Sequence, residues 1–543
     1  MSVVTVTIRC DGQTIPADIP VLSVDVRRAL NRLPSACLLL QDGDVATGTF
    51  AISDSGLFKP GTEVSISARY EDGERDAQLF KGLVVRQGIE AGLGGSCLRV
   101  ELRDQALKMT RPRRSQVFAE AQDSEVFTKL AQAAGLQCSA EATRATHASL
   151  VQFDCSDWDF LVTRAEAVGM VVDATDGALR IAKPERTGSP VLTVTWGVDV
   201  LDLDFACDAL GQDASVEAWH WDIATQKLAT ATGAKPPAPT QGTLSSAKAA
   251  DALGLGAATL VHRAPLLAAE AKAWADATAA RNQLGLQRGR VRVQGTALAG
   301  LLDGVKIQGV GQAFEGEALV TGLCHRIADG QWTTDLQFGL EPTPHHRRPD
   351  IASPSAAGLL PPASGLQIGI VDAVGEDPLG EHRIQVRVPS LGAQASGLWA
   401  RVTAPDAGHA RGICFRPEPG DEVVLGFFND DPRHPVVLGA LHSSKNTPPA
   451  AVLDGSDKNT LRGLVTRSGL TLALNDEKKQ LSLQTPSGAQ LLMDDEGEAI
   501  VISDKHGNKI TLDKNGIAIE SAKDLQAQAS GNVVVKGSRV DLN

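Results

Sequence analysis

The sequence predicts a mainly β, multidomain chain. Three observations carry this. Alternating apolar and polar runs such as "VVTVTIRC" and "SCLRVELRD" fill the first 110 residues. A compact segment of short strands with Gly, Pro and Asp turns follows a proline-rich stretch at 341–365. From Asn446 onward the chain has no aromatic residue and breaks into short alternating pieces. Period two is the mark of a strand with one buried face. A chain of 543 residues is also too long for a single core.

The elements follow in order. "FKPGTEV" places Pro-Gly turn chemistry before the strand "TEVSISARY". A helix is predicted over 123–136, with Val126, Phe127, Leu130 and Ala134 on one face, Asp123 as its cap and Gly135 as its stop. A second follows Ser156 or Asp157 and ends at Gly169; Trp158, Leu161, Val162 and Ala165 line it. Asp176-Gly177 marks a hairpin. A Pro/Ala-rich linker occupies 233–242, and a third helix follows with Pro265 near its first turn. Strands return in "GRVRVQG", "DGVKIQGV", "ALVTGLCHRI" and "WTTDLQFGL". The segment 366–449 has the size of a five-stranded OB-type barrel.

The tail, 450–543, carries "LTLAL", "QLSLQ", "AQLLM", "AIVIS", "KITLD", "IAIES", "NVVVK" and "RVDLN". Gly488, Gly497, Gly507 and Gly516 punctuate it at spacings of 9, 10 and 9 residues. Such a period signals stacked β repeats. One chain cannot bury such narrow apolar strips, so the tail needs copies of itself. Three chains about one axis would turn Ile500, Ile502, Ile510, Leu512, Ile517 and Ile519 inward. Each buried Ile or Leu contributes about 1.5–3 kcal/mol. An ordinary β-sandwich is the alternative, although sandwiches usually have larger core residues.

The net charge of −13 argues against coating nucleic acid. Cys10, Cys37, Cys97, Cys138, Cys155, Cys207, Cys324 and Cys414 form no CxxC, so neither a metal knuckle nor a disulfide framework is expected. The N-terminus lacks a basic region followed by an apolar one, and no apolar run is long enough for a membrane span. No GxSxG, HExxH or Walker A loop is present, and the "GLGLG" and "GVG" runs lack the setting of a dinucleotide loop. No catalytic residue, cofactor or metal is therefore expected. His345-His346 are expected in a solvated linker, and His434 and His442 are weak metal candidates beside Asp430 and Asp431. "RPRR" at 111–114 is either a solvated loop or a contact to a neighbouring subunit or tube.

At 398–449 the chain resembles the OB-fold segment of VgrG-like spike proteins of contractile injection systems, the Vgr group of Rhs elements, and of phage baseplate hub/spike fusions. The matching residues are Trp399 with its Ala-Arg-Val strand, Pro417, Gly420 and Asp421 in a Pro-Glu-x-Gly-Asp-Glu-Val turn, the Asp431-Pro432 turn, and Gly439 at the end of a Pro-x-Val-x-Gly strand. The stretches "LFKPGTEVSISARY", "LVQFDCSDWDFLVTRAEAVGMVVD" and "DGVKIQGVGQAFEGEALVTGLCHRI" resemble the tail-hub half of the same family.

The resemblance implies a hub of two β-barrel subdomains with helical insertions over 1–345, a linker over 346–365, the OB barrel over 366–449 and a triple-stranded, trimeric β-helix over 450–543. It implies a homotrimer that adapts a sixfold tube to a threefold, membrane-piercing needle. Its implied partners are itself, the inner tube protein, baseplate proteins, a PAAR-like tip protein, effector cargo and the target membrane. Val533, Val535, Val540 and Leu542 are the candidate tip contacts. Some phage spikes insert a lysozyme domain after the barrel and some VgrG proteins append an effector; neither is expected here. That compactness favours an extracellular phage-tail-like particle, made in the cytoplasm and then assembled, over a type VI VgrG or a tailed-phage spike. A cell-wall hydrolase or a glycan-binding OB barrel is the reading from a different class. The second needs exposed aromatics beside basic residues, whereas Trp399, Phe415, Phe427 and Phe428 are expected in the core.

Overall fold

The computed structural model describes residues 4–71, 75–111, 113–185, 188–234, 240–392, 396–453, 455 and 457–542. Pro112 of the basic run, residues 235–239 of the Pro/Ala-rich linker and Asn543 lie outside them. The chain divides into two compact units, Met1–Ser353 and Pro354–Asn543.

In the first unit, strict alternation builds strands with one buried face. Val64, Ile66 and Ala68 are buried while Glu63, Ser65 and Ser67 point away. With Phe58, Phe80, Leu98, Val100 and Leu102 they form one core. A second core gathers Val291, Val305, Val320, Leu336 and Phe338. Both lie on one 13-stranded sheet. The join is made by strand Val21–Ala29, which pairs antiparallel with Gly316–Ala328, placing His325 opposite Val26. Nothing local in either strand signals that partner.

Between these halves lies a helical core. Its first helix is Asp123–Ala133, and Gly135 at φ 75° stops it. Asp123 is not its cap. Gln122 holds that place, and its N–H donates to Glu125 at 3.0 Å in a capping box. That arrangement frees Asp123 to turn inward, where it is fully buried. Ser156 caps the second helix, Asp157–Ala167, by accepting from the Asp159 N–H at 3.1 Å. Asp176 and Gly177 both have positive φ, as a type I′ hairpin turn requires. After a helix at Ser246–Leu253 that is not predicted from the sequence, the helix predicted past the linker is Ala268–Leu286 with Leu267 as its cap. Pro265 therefore stands ahead of the helix rather than in its first turn.

The expected solvated linker is corrected at both ends. His345 is buried, its N–H donates to Glu166 at 2.7 Å, and its ring meets Asp159 at 3.0 Å. Arg113 donates to the carbonyls of Asp350 (3.4 Å) and Ile351 (2.9 Å), and Arg114 pairs with Asp157 at 3.2 Å. Two arginines of the basic run thus serve contacts within the chain, and residues 345–351 form a strap on the first unit. In the second unit, Ser355 and the Ala363 N–H both bond Asp430.

Burial alone would raise the Asp159 carboxyl, but hydrogen bonds from His345 and Ser156 outweigh it and hold it below the usual range. A depressed carboxylate contributes stability above its unfolded pKa and loses it as pH falls through the folded value. His345→Ala should therefore loosen the strap by about 1–3 kcal/mol. Amide exchange at 345–351 should quicken, and acidification of the native protein should do the same. Unchanged exchange in the variant would show that the ring anchors nothing.

The second unit begins with the barrel. Strands Gln367–Ala373, Ile384–Arg387, Leu398–Val402, Pro435–Ala440 and Glu422–Phe427 close in that order. The parallel pairing of Arg401 with Val436 and of Val402 with Val437 completes the circle. Val371, Ile384, Val386, Ala400, Val423, Leu425 and Val437 fill it. Small aliphatics suffice in so narrow a barrel, and this leaves the aromatics outside. Phe415 is 60% exposed and Phe428 is 53% exposed, so neither is core. Trp399 is partly covered by the Arg383 guanidinium, 5.8 Å from its ring.

The signature residues hold turns. Gly420, at φ 93°, donates its N–H to the Val371 carbonyl at 2.8 Å, and Asp421 accepts from the Glu418 N–H at 2.8 Å. Asp431 takes two donors of Arg433, at 3.0 and 2.6 Å, in the turn with Pro432. Hydrogen bonding from that side chain lowers its carboxyl to about 2. Gly439 lies opposite Val424 in the barrel ladder.

Candidate assembly surface on the C-terminal sheet

After the barrel, seven strands run as an antiparallel meander: Leu461–Val465, Thr471–Asn475, Gln480–Gln484, Gln490–Asp494, Ala499–Ser503, Lys509–Asp513 and Gly516–Glu520. Their turns repeat. Gly469, Gly488 and Gly507 occupy the same place in alternate turns, nineteen residues apart, each with φ between 84° and 93°. Thr466 and Thr485 close the first two by accepting the N–H of the glycine, at 2.8 and 3.0 Å. The repeating unit is therefore a two-strand hairpin. The glycine intervals of nine and ten residues are the two halves of it.

Because every register is in step, side chains on one face form two continuous ladders. One runs Leu464, Leu472, Leu483, Leu491, Ile502, Ile510 and Ile519. The other runs Arg462, Leu474, Leu481, Met493, Ile500, Leu512 and Ile517. Directly opposed residues on one face touch, and Arg462 alone interrupts the apolar character. The opposite face is mixed, with Asn475, Ser482, Gln484, Gln490 and Thr511 among its residues. All six predicted inward residues therefore lie on one face. Among the described residues no second layer covers the end of this face: Ile517 is 70% exposed and Ile519 is 57% exposed. A contiguous apolar face of this length marks an interaction surface.

Beyond Ser521 the described chain forms no strand. "NVVVK" and residues 539–542 of "RVDLN" are predicted as strands from the sequence but form none; Asn543 lies outside the described residues. Val533, Val535, Val540 and Leu542 are exposed instead. A strand exists only where a neighbour takes its backbone hydrogen bonds, and none of the described residues pairs with them in that way. Among the described residues no group of His, Cys, Asp and Glu is arranged to hold a metal ion.

Comparisons with known proteins agree with this geometry. Residues 367–442 match the type VI secretion system/phage-baseplate injector OB domain, and residues 480–543 match the phage baseplate V C-terminal trimerisation domain. The two matches fall in order on the barrel and on the later strands of the meander with the segment that follows them. Residues 1–329, more than half of the chain, match the Alg8 N-terminal domain model, and the chain belongs to that family.

The actin cross-linking toxin VgrG1 of Vibrio cholerae O1 (classical Ogawa) is 33% identical over 140 residues, or 24% of this chain and 12% of that protein. The type VI secretion system spike protein VgrG3 of V. cholerae O1 (El Tor Inaba) is 34% identical over 84 residues, or 15% of this chain and 8% of that protein. The matched segments thus span only a small part of these relatives. The 43 kDa tail protein of prophage MuSo2 from Shewanella oneidensis superposes with a TM-score of 0.47 at 11% identity, covering 62% of this chain and 98% of that one.

Proposed function

We propose that the chain works as the homotrimeric central spike of a contractile injection machine. The supporting observation is the uncovered apolar face of the meander, in a segment that matches a trimerisation domain. Three copies facing one axis would bury both ladders and close a prism around them. The spike reading is mechanical. The first unit joins the inner tube and baseplate proteins, adapting sixfold to threefold symmetry, and the prism forms the needle that meets the target membrane. Hydrogen-bonded strands stacked along the needle spread axial load over many bonds. The exposed end around Val533, Val535, Val540 and Leu542 suits a PAAR-like tip protein, with effector cargo carried on the same assembly. We place the protein in an extracellular phage-tail-like particle, assembled after synthesis in the cytoplasm; a type VI or phage machine is the alternative.

Native mass spectrometry of the purified chain tests the core of this. Three times the chain mass of 56.9 kDa is expected, and a stable monomer would overturn the proposal. One observation favours a second reading. Exposed Phe415 and Phe428 stand in sequence beside or near Arg416 and Arg433, as an oligosaccharide-binding barrel would require. Muramidase and glycan-binding assays on the same preparation separate that reading from the spike.

A further inference from the structure

The long helix Ala268–Leu286 carries alanines on two faces. Ala271, Ala275 and Ala279 pack on a three-stranded sheet built from Val216–Asp222, Lys227–Thr232 and Ala258–His262. Ala269, Ala273, Ala277 and Ala280 recur at spacings of four, four and three residues, so they share another face. That face lines a cleft of about 870 Å³ in the first unit, together with Ala145, Val168 and Met170. The chain after the second helix comes close at Gly169, where an added Cβ would lie 3.4 Å from Ala277. Elsewhere along the cleft a single methyl per turn does not reach across, and the space stays open. Its volume falls in the range of small-molecule sites, roughly 300–1,000 Å³.

One end of the cleft is charged. Asp123 and Glu270 both line it. Arg164 donates to both Asp123 oxygens and, at 3.0 Å, to Glu270 Oε1. His147 stands 3.0 Å from Asp123 Oδ2. Glu270 Oε2 receives no hydrogen bond among the described residues: His147 Nδ1 is 3.7 Å from it, beyond hydrogen-bonding reach. An ionised carboxylate only accepts, so this oxygen calls for a donor. The rim adds no opposing preference, because Arg144, Lys183 and Lys272 stand with Glu141, Glu185 and Asp276.

We infer that the cleft binds a small amphiphilic amine, its aliphatic body along the alanine face and its ammonium on Glu270 Oε2. An ammonium makes a charge-assisted hydrogen bond there, which is stronger than a neutral donor would make. An aliphatic chain is slender enough for walls of alanine, valine and methionine. The site lies within one chain and depends neither on the spike reading nor on trimerisation.

Isothermal titration calorimetry of the full chain at physiological salt tests this, with n-decylamine and n-decanoate as probes below their micellar concentrations. The amine is expected to bind once per chain, and the carboxylate at least tenfold more weakly. Ala273 is partly exposed, so Ala273→Trp places an indole in the cleft and should abolish the amine site with little change in melting temperature. Ala280→Leu is a smaller obstruction that should weaken binding, and it keeps the test open if the first variant does not fold. Both probes can also reach the exposed ladders of the C-terminal sheet, but neither substitution touches those. Amine binding that both variants leave unchanged, equal affinity for amine and carboxylate, or no saturable binding of the amine would each overturn the inference.

Discussion

Ile502→Asp is expected to convert the proposed trimer to monomers while the first unit and the barrel stay folded. Ile502 sits mid-ladder, directly opposite Leu491 on one side and Ile510 on the other. In the proposed assembly the substitution removes about 1.5–3 kcal/mol of apolar burial in each chain. It also brings three carboxylates to one level facing one axis, and each costs several kcal/mol to desolvate without a partner. The sum, on the order of 10 kcal/mol, rivals the whole stability of a domain. Ile517→Asp should act in the same direction more weakly, because its strand is the last in the sheet and has a neighbour on one side only. The readout is clean because every tryptophan precedes Asn446. Tryptophan fluorescence therefore follows the first unit and the barrel while sedimentation follows the tail. An Ile502→Asp protein that still sediments as a trimer would remove the apolar face from the interface.

Arg164→Met is expected to cost the first unit about 3–5 kcal/mol, the penalty for stranding a buried charge. Arg164 donates to both oxygens of Asp123, at 2.8 and 3.1 Å, and to Glu270 at 3.0 Å. His147 stands 3.0 Å from the same Asp123 oxygen. Asp123 has no access to solvent, so water cannot replace the lost donors. A fall in melting temperature on the order of 5 °C or more is expected. It should be visible by fluorescence because Trp158 lies in the same core. Asp123→Asn combined with Arg164→Met should recover much of the loss, since the stranded charge is gone. A single variant that melts with the native protein would show that the cluster is dispensable.

Much of the barrel was legible from Trp399 to Gly439 because its turns are local. A glycine at φ 93° and an aspartate accepting from a residue three positions earlier leave their mark in a few consecutive letters. The candidate surface was legible for the same reason: period two and recurrent glycines place Ile500 to Ile519 on one face. The nineteen-residue hairpin unit was within reach, since Gly469 continues the series one unit earlier. What misled were residues whose chemistry is ambiguous without neighbours. Asp123 has the composition of a cap, yet Gln122 and Glu125 took that role and a distant arginine drew the carboxylate inward. His345 lies among prolines and arginines that suggest solvent, yet Glu166 and Asp159 bury it. Phe415 and Phe428 have core-like side chains, yet a five-stranded barrel filled by valines has no room for them.

The amino-acid sequence by itself determined the strand periodicity, the turn positions, the helix stops at Gly135 and Gly169, and the need of the tail for a partner. All of these depend on interactions within about ten residues. Only the tertiary structure decided that Val21–Ala29 pairs with Gly316–Ala328, that residues 345–351 strap onto the first unit, and that the two ladders of the meander share one face. Those features depend on which distant segments meet. Loop closure charges little for added length, so chain separation says almost nothing about which partner is chosen. The choice is made by burial and paired charge, which exist only once the chain has folded.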